Sequence, residues 1–492
     1  MVGTGTAVAV AGVALLLTAV AGFRAVRGRM ASTELLVSAR GRAAEGTVAA
    51  SVLASSMGVW ILLAPAEAGA AFGGLPAVLG YALGSAVPLL LFVPVGARLR
   101  ETMPAGHSLT EYVLARFGRR FYAFVLVVSL FYMFVFLAAE MTGVALALAL
   151  VAGVPPTVTA VLVGTLALAY TAYGGLPASL ATDTVQALLL IPLLIVGFAG
   201  SVLALGGVSE VHATVAADAP ATLSLTNPAG VEFGLYVGFA VLGANMLNQG
   251  LWQRVWAAES TDAVRRGFAL AALAVVPMVF LAGLFGVVAA GLGVVGDAPG
   301  IALFSVVTTA LPTWVGVALV AIATLLVTSS ADTMLNAIAA LVTVDAVRVL
   351  DGPDDATLRR VARVLTLVVA AVAVAVGAQG YDVLALFLLA DLLGAAVFAP
   401  FLLGLFQPAL TENGALAAGT TGLAVGLAYF PITNPLFSAF GVPLPAPSFL
   451  LAFAGATGVS LAVSLAAIAR SDTAFEFETL SAGVARLGGG RR

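Results

Sequence analysis

The stretch TVAASVLASSMGVWILLAPAEAGAAFGG, residues 47–74, is apolar and long enough to cross a bilayer, but its own residues interrupt it. Gly58 and Pro65 fall within the stretch, together with the acid Glu67. Glycine and proline free backbone groups that lipid cannot satisfy, so an unwound stretch at membrane depth must line a cavity or bind a ligand. The pattern therefore predicts a broken membrane helix.

A similar interruption occurs in VLGANMLNQG, residues 241–250, five predicted helices later. Interruptions at corresponding positions five helices apart are what an inverted repeat of five plus five helices would show. Broken helices whose freed carbonyls hold sodium or protons recur in such repeats. The sequence alone proves neither the repeat nor its inversion.

The composition is that of a polytopic membrane protein. The 492 residues are 61% hydrophobic and 9% charged, with a mean hydropathy of +1.12, far outside the averages of soluble proteins. All 21 basic residues are arginine and there is no cysteine, which excludes disulfides and thiolate metal sites. His107 and His212 lie in predicted loops and no H-E-x-x-H motif is present, so an enzyme is not expected.

Apolar stretches of about 20 residues predict about thirteen membrane helices. They cover residues 3–23, 47–73, 74–95, 121–151, 156–173, 178–205, 233–256, 268–292, 314–347, 361–379, 383–406, 414–430 and 448–469. The predicted organisation is a leading helix within 1–30, two five-helix repeats within 31–206 and 207–410, two trailing helices within 411–469, and a short cytoplasmic tail, 470–492, expected to be disordered.

The arginines predict the orientation of the chain. With the N-terminus outside, every arginine falls at the cytoplasmic side, in clusters within 24–42, 98–120, 254–266, 348–363 and 470–492. The long outer connection, 206–232, has none. This agrees with the positive-inside rule and predicts a multi-pass protein of the cell membrane with a cytoplasmic C-terminus.

Five acids lie within the predicted spans, and no arginine is predicted to lie among them. They are Glu67, Glu140, Asp183, Asp332 and Asp391. An intramembrane carboxylate costs at least a few kcal/mol unless something offsets its charge, so such residues indicate ion or substrate pathways. A bound cation or a proton is the expected partner. The alternative for each acid is a protonated, hydrogen-bonded group or a place in a water-filled vestibule.

A polar face interrupts LLVTSSADTMLNAIAAL, residues 325–341. Leu326, Ser329, Ser330 and Thr333 share one helical face, and Asp332 flanks it. Hydroxyls, backbone carbonyls and a nearby carboxylate are ligands that a hard monovalent cation accepts. Hydroxyl residues of membrane helices also serve close packing, which is the alternative role of the serines.

Five motifs in order resemble those of the sodium/solute symporter family, over about residues 34–406. They are SLTEYVLARFG (108–118), AYGGLPASLATDTVQ (172–186), NQGLWQRVWAAES (248–260), TSSADTMLN (328–336) and LLGAAVFAPFLLGLF (392–406). The resemblance implies a LeuT-like fold, with one extra leading helix and two trailing ones. It also implies sodium as the coupled ion.

Ligand positions carry over from the family motif by motif. The family's characteristic sodium site would use backbone carbonyls of Ala54, Met57 and Leu326 and the hydroxyls of Ser329 and Ser330. A second sodium, held by some relatives, would use the matching positions here, Asp183, Asp332 and Thr333. Asp332 replaces a hydroxyl there, which could strengthen this second site or convert it to protonation.

Candidate solute-binding residues are Trp60, Glu67, Glu140, Asn248 and Gln249. Trp60 matches a family tryptophan beside the substrate, whereas Ser56 stands where the sodium/proline symporter has an aspartate, which weakens any transfer of proline specificity. If Glu67 and Glu140 face a central cavity, its negative character favours an amine-bearing solute such as an amino acid, or proton coupling.

The leading hypothesis is a sodium-coupled symporter that imports a small polar solute by alternating access. Proton-coupled uptake of a sugar, carboxylate or urea is an alternative, and a membrane sensor without transport is another. The expected partners are the solute, sodium and the lipid bilayer, with no nucleic acid. The sequence does not identify the solute, the number of sodium ions or the oligomeric state.

Overall fold

The computed structural model describes residues 3–26, 38–296, 298–349, 355–439, 441, 444 and 446–484, and the regular structure of these residues is helical throughout. The α-helices are α1 (Thr4–Val26), α2 (Glu45–Ser56), α3 (Ala64–Ala71), α4 (Leu75–Thr102), α5 (Leu109–Arg116), α6 (Arg119–Ala152), α7 (Pro156–Ala204), α8 (Val208–Asp218), α9 (Pro228–Leu247), α10 (Gln249–Ala257), α11 (Thr261–Gly291), α12 (Ala302–Ala310), α13 (Thr313–Val349), α14 (Asp355–Gly377), α15 (Val383–Gly404), α16 (Glu412–Tyr429), α17 (Asn434–Ala439) and α18 (Phe449–Ala469). Short 3-10 helices cover Val59–Leu62, Pro220–Leu223, Pro299–Ile301 and Phe477–Gly483.

The membrane-spanning character of the bundle follows from helix length and hydropathy. Within the described ranges, 8 helices are long and apolar enough to cross a membrane, or up to 9 if a bent pair counts as one span. All thirteen stretches predicted from the sequence fall on helices, and those outside this count lie on α1, the first part of α7, α14 and α16. The protein is therefore an all-α multi-pass membrane protein.

The first predicted break is present. Helix α2 ends at Ser56, a 3-10 turn covers Val59–Leu62, and α3 begins with Pro65 in its first turn. The axis bends by 66° across this break. Proline fits a first helical turn because its missing N–H would have no intrahelical partner there. Gly58 is extended, with φ −76° and ψ −164°, so the helix cannot continue through it.

The second predicted break lies at Asn248, between α9 and α10. Asn248 has φ −77° and ψ 96°, and its side-chain oxygen accepts a hydrogen bond from the Gly250 N–H at 2.9 Å. This side chain replaces an intrahelical partner at the start of α10. Both interruptions predicted from the sequence are thus real breaks in helices.

Close helix packing joins the helix after the first broken segment to the first half of the second. Helix α4, which follows the first break, packs against α9, which precedes the second. A Cβ atom on Gly80 would lie 2.2 Å from the Cα of Gly234, so the helices cross at a point that only glycine allows. Small residues of this kind let membrane helices approach closely.

Two expectations from the sequence are wrong in detail. The stretches 156–173 and 178–205 were expected to be separate helices, but α7 is one continuous helix that contains Pro177. A proline removes one backbone hydrogen bond from a helix. The neighbouring N–H and C=O groups remain paired within the helix, because the membrane interior offers them no water to bond. Of this helix, Leu176–Ala204 is by itself long and apolar enough to span a membrane.

The tail was expected to be disordered, but its described part, 470–484, contains the 3-10 helix Phe477–Gly483, and residues 485–492 lie outside the described residues. The Phe475 N–H donates to the Pro408 carbonyl at 3.1 Å, and Leu480 is fully buried. The Arg98 and Arg116 guanidinium carbons lie 5.0 and 5.8 Å from the centre of the Phe477 ring. These cation–π contacts hold the described part of the tail against the helix bundle. Its composition alone would predict disorder.

Candidate functional site

A central cavity lies between the two breaks. Its wall is largely aromatic and is formed by Trp60, Tyr81, Tyr132, Phe136 and Phe387. Of the five residues predicted to bind solute, Trp60 and Asn248 line it. A mostly apolar cavity with few polar groups is the usual form of a small-molecule site.

The aromatic wall is built around Trp60. Its ring stacks on Tyr81 at 5.7 Å between centroids and meets Phe387 edge-on at 6.3 Å. The indole N–H donates to the Ser56 carbonyl at 2.8 Å, across the break in the helix. The position of Trp60 therefore depends directly on how the chain turns between α2 and the 3-10 helix.

One carboxylate belongs to the cavity wall, that of Asp391 on α15. Its side chain is 6% exposed and makes no hydrogen bond or ion pair with any residue that the structure describes. Sequence reasoning identified Asp391 as an intramembrane acid but did not assign it to the solute site. The only available signal was its isolation in the apolar run of α15.

Neutral polar groups complete the lining of the cavity. Ser56, Asn245 and Asn248 contribute to it, and the buried Ser56 hydroxyl has no hydrogen-bond partner within the described part of the chain. A buried hydroxyl without a partner costs about 1–3 kcal/mol, so a ligand that satisfies it is favoured. Ser56 and Asp391 thus offer a hydroxyl and a carboxylate to one cavity.

The other three predicted solute-binding residues do not line this cavity. Gln249 ties α10 to the start of α5, because its side chain accepts from the Leu109 N–H at 2.9 Å and donates to the His107 carbonyl at 2.8 Å. Glu67 lies beside Asp382 and the backbone of Gly300. Glu140 accepts a hydrogen bond from Ser330, one of the predicted sodium ligands.

The two serines predicted to bind sodium both donate to carboxylates. The Ser329 hydroxyl donates to Asp183 Oδ1 at 2.6 Å, and the Ser330 hydroxyl donates to Glu140 Oε2 at 2.7 Å. A hydroxyl has one proton and two lone pairs, so each serine keeps lone pairs for a cation. Together with the Leu326 carbonyl, which lies 3.1 Å from the Ser330 hydroxyl, these oxygens fit a hard monovalent ion such as sodium.

Asp183 has an arginine partner, which the sequence analysis did not foresee. Arg254 on α10 donates to Asp183 Oδ2 at 2.9 Å, and both side chains are fully buried. The same guanidinium donates to the Ser51 hydroxyl at 2.9 Å and to the Thr333 hydroxyl at 3.0 Å. The expectation that no arginine lies among the membrane acids is therefore wrong.

The positive-inside pattern placed Arg254 in a cytoplasmic cluster, but that pattern says nothing about the direction of the side chain. Because α10 starts a new helix at the break, Arg254 points inward and its Nη1 also donates to the Gly250 carbonyl at 3.0 Å. The guanidinium thus joins Asp183 to Thr333, two of the three residues predicted to hold a second sodium. The third, Asp332, accepts a hydrogen bond from Asn336 at 2.5 Å.

Solved structures share this fold. A substrate-bound, outward-open sodium-coupled sialic acid symporter superimposes with a TM-score of 0.78 and 21% sequence identity, over 95% of this chain and 98% of that chain. Mhp1, a nucleobase-cation-symport-1 family transporter, matches with a TM-score of 0.62 and 16% identity over 90% of this chain and 97% of its own. The architecture is that of the LeuT-fold transporters.

Curated relatives match over about two thirds of their length. The spermidine transporter DUR31 of Candida albicans is 26% identical over 360 residues, 73% of this chain and 67% of the relative. A sodium/glucose cotransporter of Vibrio parahaemolyticus is 28% identical over 375 residues, 67% of this chain and 68% of the relative. The sodium:solute symporter family model matches residues 39–422, and the chain belongs to that family of transporters.

Proposed function

We propose that the protein is a sodium-coupled symporter that imports a small amine-bearing solute through the central cavity by alternating access. The observation that carries this proposal is Asp391, a carboxylate without a partner among the described residues in a cavity walled by aromatic rings. A buried carboxylate is costly at membrane depth unless a positive charge offsets it. An ammonium group on the solute supplies that charge inside the cavity.

The aromatic wall supports the same solute class. The faces of Trp60 and Tyr81 attract a cation by about 0.5–2 kcal/mol, with the larger values where water is excluded. Phe136 and Phe387, whose ring centroids lie 4.9 Å apart, offer an apolar surface for the carbon skeleton of the solute. The similarity to a fungal spermidine transporter agrees with an amine, and the similarity to a sodium/glucose cotransporter makes a neutral sugar the natural competitor to test.

The packing of α13 against the broken helix α2 supports sodium coupling. A cation held by carbonyls of α2 and hydroxyls of α13 links two elements that alternating access would move apart. Ala54, Met57, Leu326, Ser329 and Ser330 would be its ligands. Entry of each sodium also gains about 2.3 kcal/mol per 100 mV of membrane potential, which helps to concentrate the solute.

Competition measured in proteoliposomes tests the solute class. Uptake of labelled putrescine, spermidine, a zwitterionic amino acid and glucose is compared with and without an inward sodium gradient. The expected result is sodium-dependent uptake of an amine that unlabelled amines inhibit and glucose does not. Asp391→Asn should abolish this preference, while Asp391→Glu should keep part of it and Glu210→Gln, an exposed acid on α8, should leave it unchanged. Glucose uptake that is insensitive to Asp391→Asn would refute the proposal.

A further inference from the structure

Glu140 lies where the broken helix meets α13. It is fully buried in the middle of α6. Its Oε2 accepts hydrogen bonds from the Val59 N–H and the Ser330 hydroxyl, both at 2.7 Å. One carboxylate oxygen therefore holds the first residue after the break and one predicted sodium ligand at the same time.

The second oxygen of Glu140 has no such partner. Oε1 is buried without a hydrogen-bond partner in the described part of the structure. It faces the break itself, since a Cβ atom on Gly58 would lie 1.8 Å from it. A side chain at position 58 would displace this carboxylate. Gly58 directly follows Met57, whose carbonyl is a predicted sodium ligand.

The charge of Glu140 is not offset by a neighbouring arginine. Arg254, which is buried within the bundle, pairs with Asp183, and Glu140 forms no ion pair among the described residues. Two hydrogen bonds to Oε2 stabilise the carboxylate in part. The remaining oxygen still has no donor, and a buried charge without a partner is costly.

We propose that Glu140 is the charged ligand of the sodium site between α2 and α13, which it binds through Oε1. The site would then contain a full carboxylate in addition to the carbonyls and hydroxyls carried over from the family motifs. Ser330 contributes through its lone pairs, because its proton is engaged by Oε2. The inference rests on sodium coupling and is independent of the solute that the cavity accepts.

A carboxylate ligand has a measurable consequence in the absence of solute. Ligand charge sets the affinity of oxygen sites for hard cations, so Glu140→Gln, which keeps the shape and removes the charge, should weaken sodium binding about tenfold or more. Glu140→Asp keeps the charge but withdraws it by one methylene, so a smaller loss is expected. Glu210→Gln changes an exposed acid and should bind sodium like the wild type.

Equilibrium binding of ²²Na⁺ to the purified protein in nanodiscs tests the proposal without transport or solute. The sodium-dependent rise in thermal unfolding temperature, measured against choline chloride, is a second readout because an ion that binds only the folded state stabilises it. Glu140→Gln should lose most of this rise while its unfolding temperature in choline shows that it is folded. Solute competition does not enter, so failure here is distinguishable from failure of the amine assignment.

Two outcomes would overturn the assignment of Glu140. The first is a folded Glu140→Gln variant that binds ²²Na⁺ with wild-type affinity. The second applies if Glu140→Gln does not fold: wild-type sodium affinity in Glu140→Asp would show that the withdrawn oxygen is not a ligand. In either case the carboxylate serves only to hold Val59 and Ser330 in place.

Discussion

Replacement of Asp183 by asparagine separates two roles that this residue can have. The sequence motifs predict a ligand of a second sodium, whereas the structure shows an ion pair with Arg254 at 2.9 Å between two fully buried side chains. Asp183→Asn preserves the size of the side chain and removes its charge. If the ion pair is the main role, the variant should lose stability in the absence of sodium.

The size of this loss follows from the surroundings of Arg254. Two unit charges 2.9 Å apart attract by about 6 kcal/mol at an effective dielectric constant of about 20, before the cost of desolvation is subtracted. Removing one partner of a buried pair costs about 3–5 kcal/mol. Arg254 keeps neutral acceptors in Ser51, Thr333 and the Gly250 carbonyl, so we expect the lower end, about 3 kcal/mol.

Thermal unfolding in choline chloride, monitored by size-exclusion chromatography of heated samples, measures the loss of stability in Asp183→Asn. At about 2.1 cal/mol/K of unfolding entropy per residue, a change of about 3 kcal/mol corresponds to a fall of about 3 °C for a chain of 492 residues. The double variant Asp183→Asn with Arg254→Gln removes both charges and should recover at least half of the loss, because no unpaired guanidinium remains.

The opposite pattern would refute the ion-pair interpretation. If Asp183→Asn is as stable as the wild type without sodium but shows a reduced number of bound sodium ions, Asp183 is a cation ligand first. The double variant would then recover nothing. A result of this kind would also mean that Arg254 leaves Asp183 when the cation binds.

Three further predictions concern the sodium ligands, the topology and the tail. Ser329→Ala or Ser330→Ala should raise the sodium concentration for half-maximal uptake, with a loss of stability of only about 1 kcal/mol, and unchanged sodium dependence in both would favour a packing role. In this cysteine-free chain, Ser224→Cys should react with an impermeant thiol reagent from outside and Ser471→Cys should be protected, and the reverse labelling would overturn the predicted orientation. Phe477→Ala removes ring contacts with two arginines, so amide hydrogen exchange in the tail should become faster, and unchanged exchange would show that these contacts do not hold it.

The breaks in the helices could be predicted because their cause is local. Gly58 and Pro65 in one apolar stretch, and Asn248 in another, each disturb the backbone at a position that the sequence shows directly. A helical wheel likewise groups Ser329 with Ser330, and the structure has both hydroxyls donating to buried carboxylates. Features of this kind depend on residues a few positions apart along one helix.

The partners of the buried charges could not be predicted, because they depend on the directions of side chains from distant helices. Arg254 is 71 residues from Asp183 in the sequence, and a count of charges per loop does not show that it points inward from α10. Asp391 stands in an apolar run whose pattern does not reveal which face meets Tyr81 and Tyr132. The sequence of each helix shows that these acids are unusual, but it does not predict which residues they contact.

The short 3-10 helix Val59–Leu62 offers a physical route for coupling between cation and solute. Its first residue, Val59, is held by Glu140, which we propose as a sodium ligand, and its second, Trp60, forms part of the wall of the solute cavity. A cation that draws Glu140 and Ser330 together would therefore fix the turn that positions the Trp60 ring. The reverse also holds by linkage, since a solute that prefers this orientation of Trp60 must raise the affinity for the cation by the same factor. Glu140→Gln should consequently weaken the dependence of amine binding on sodium, whereas Asp391→Asn should weaken amine binding and leave sodium binding without solute intact.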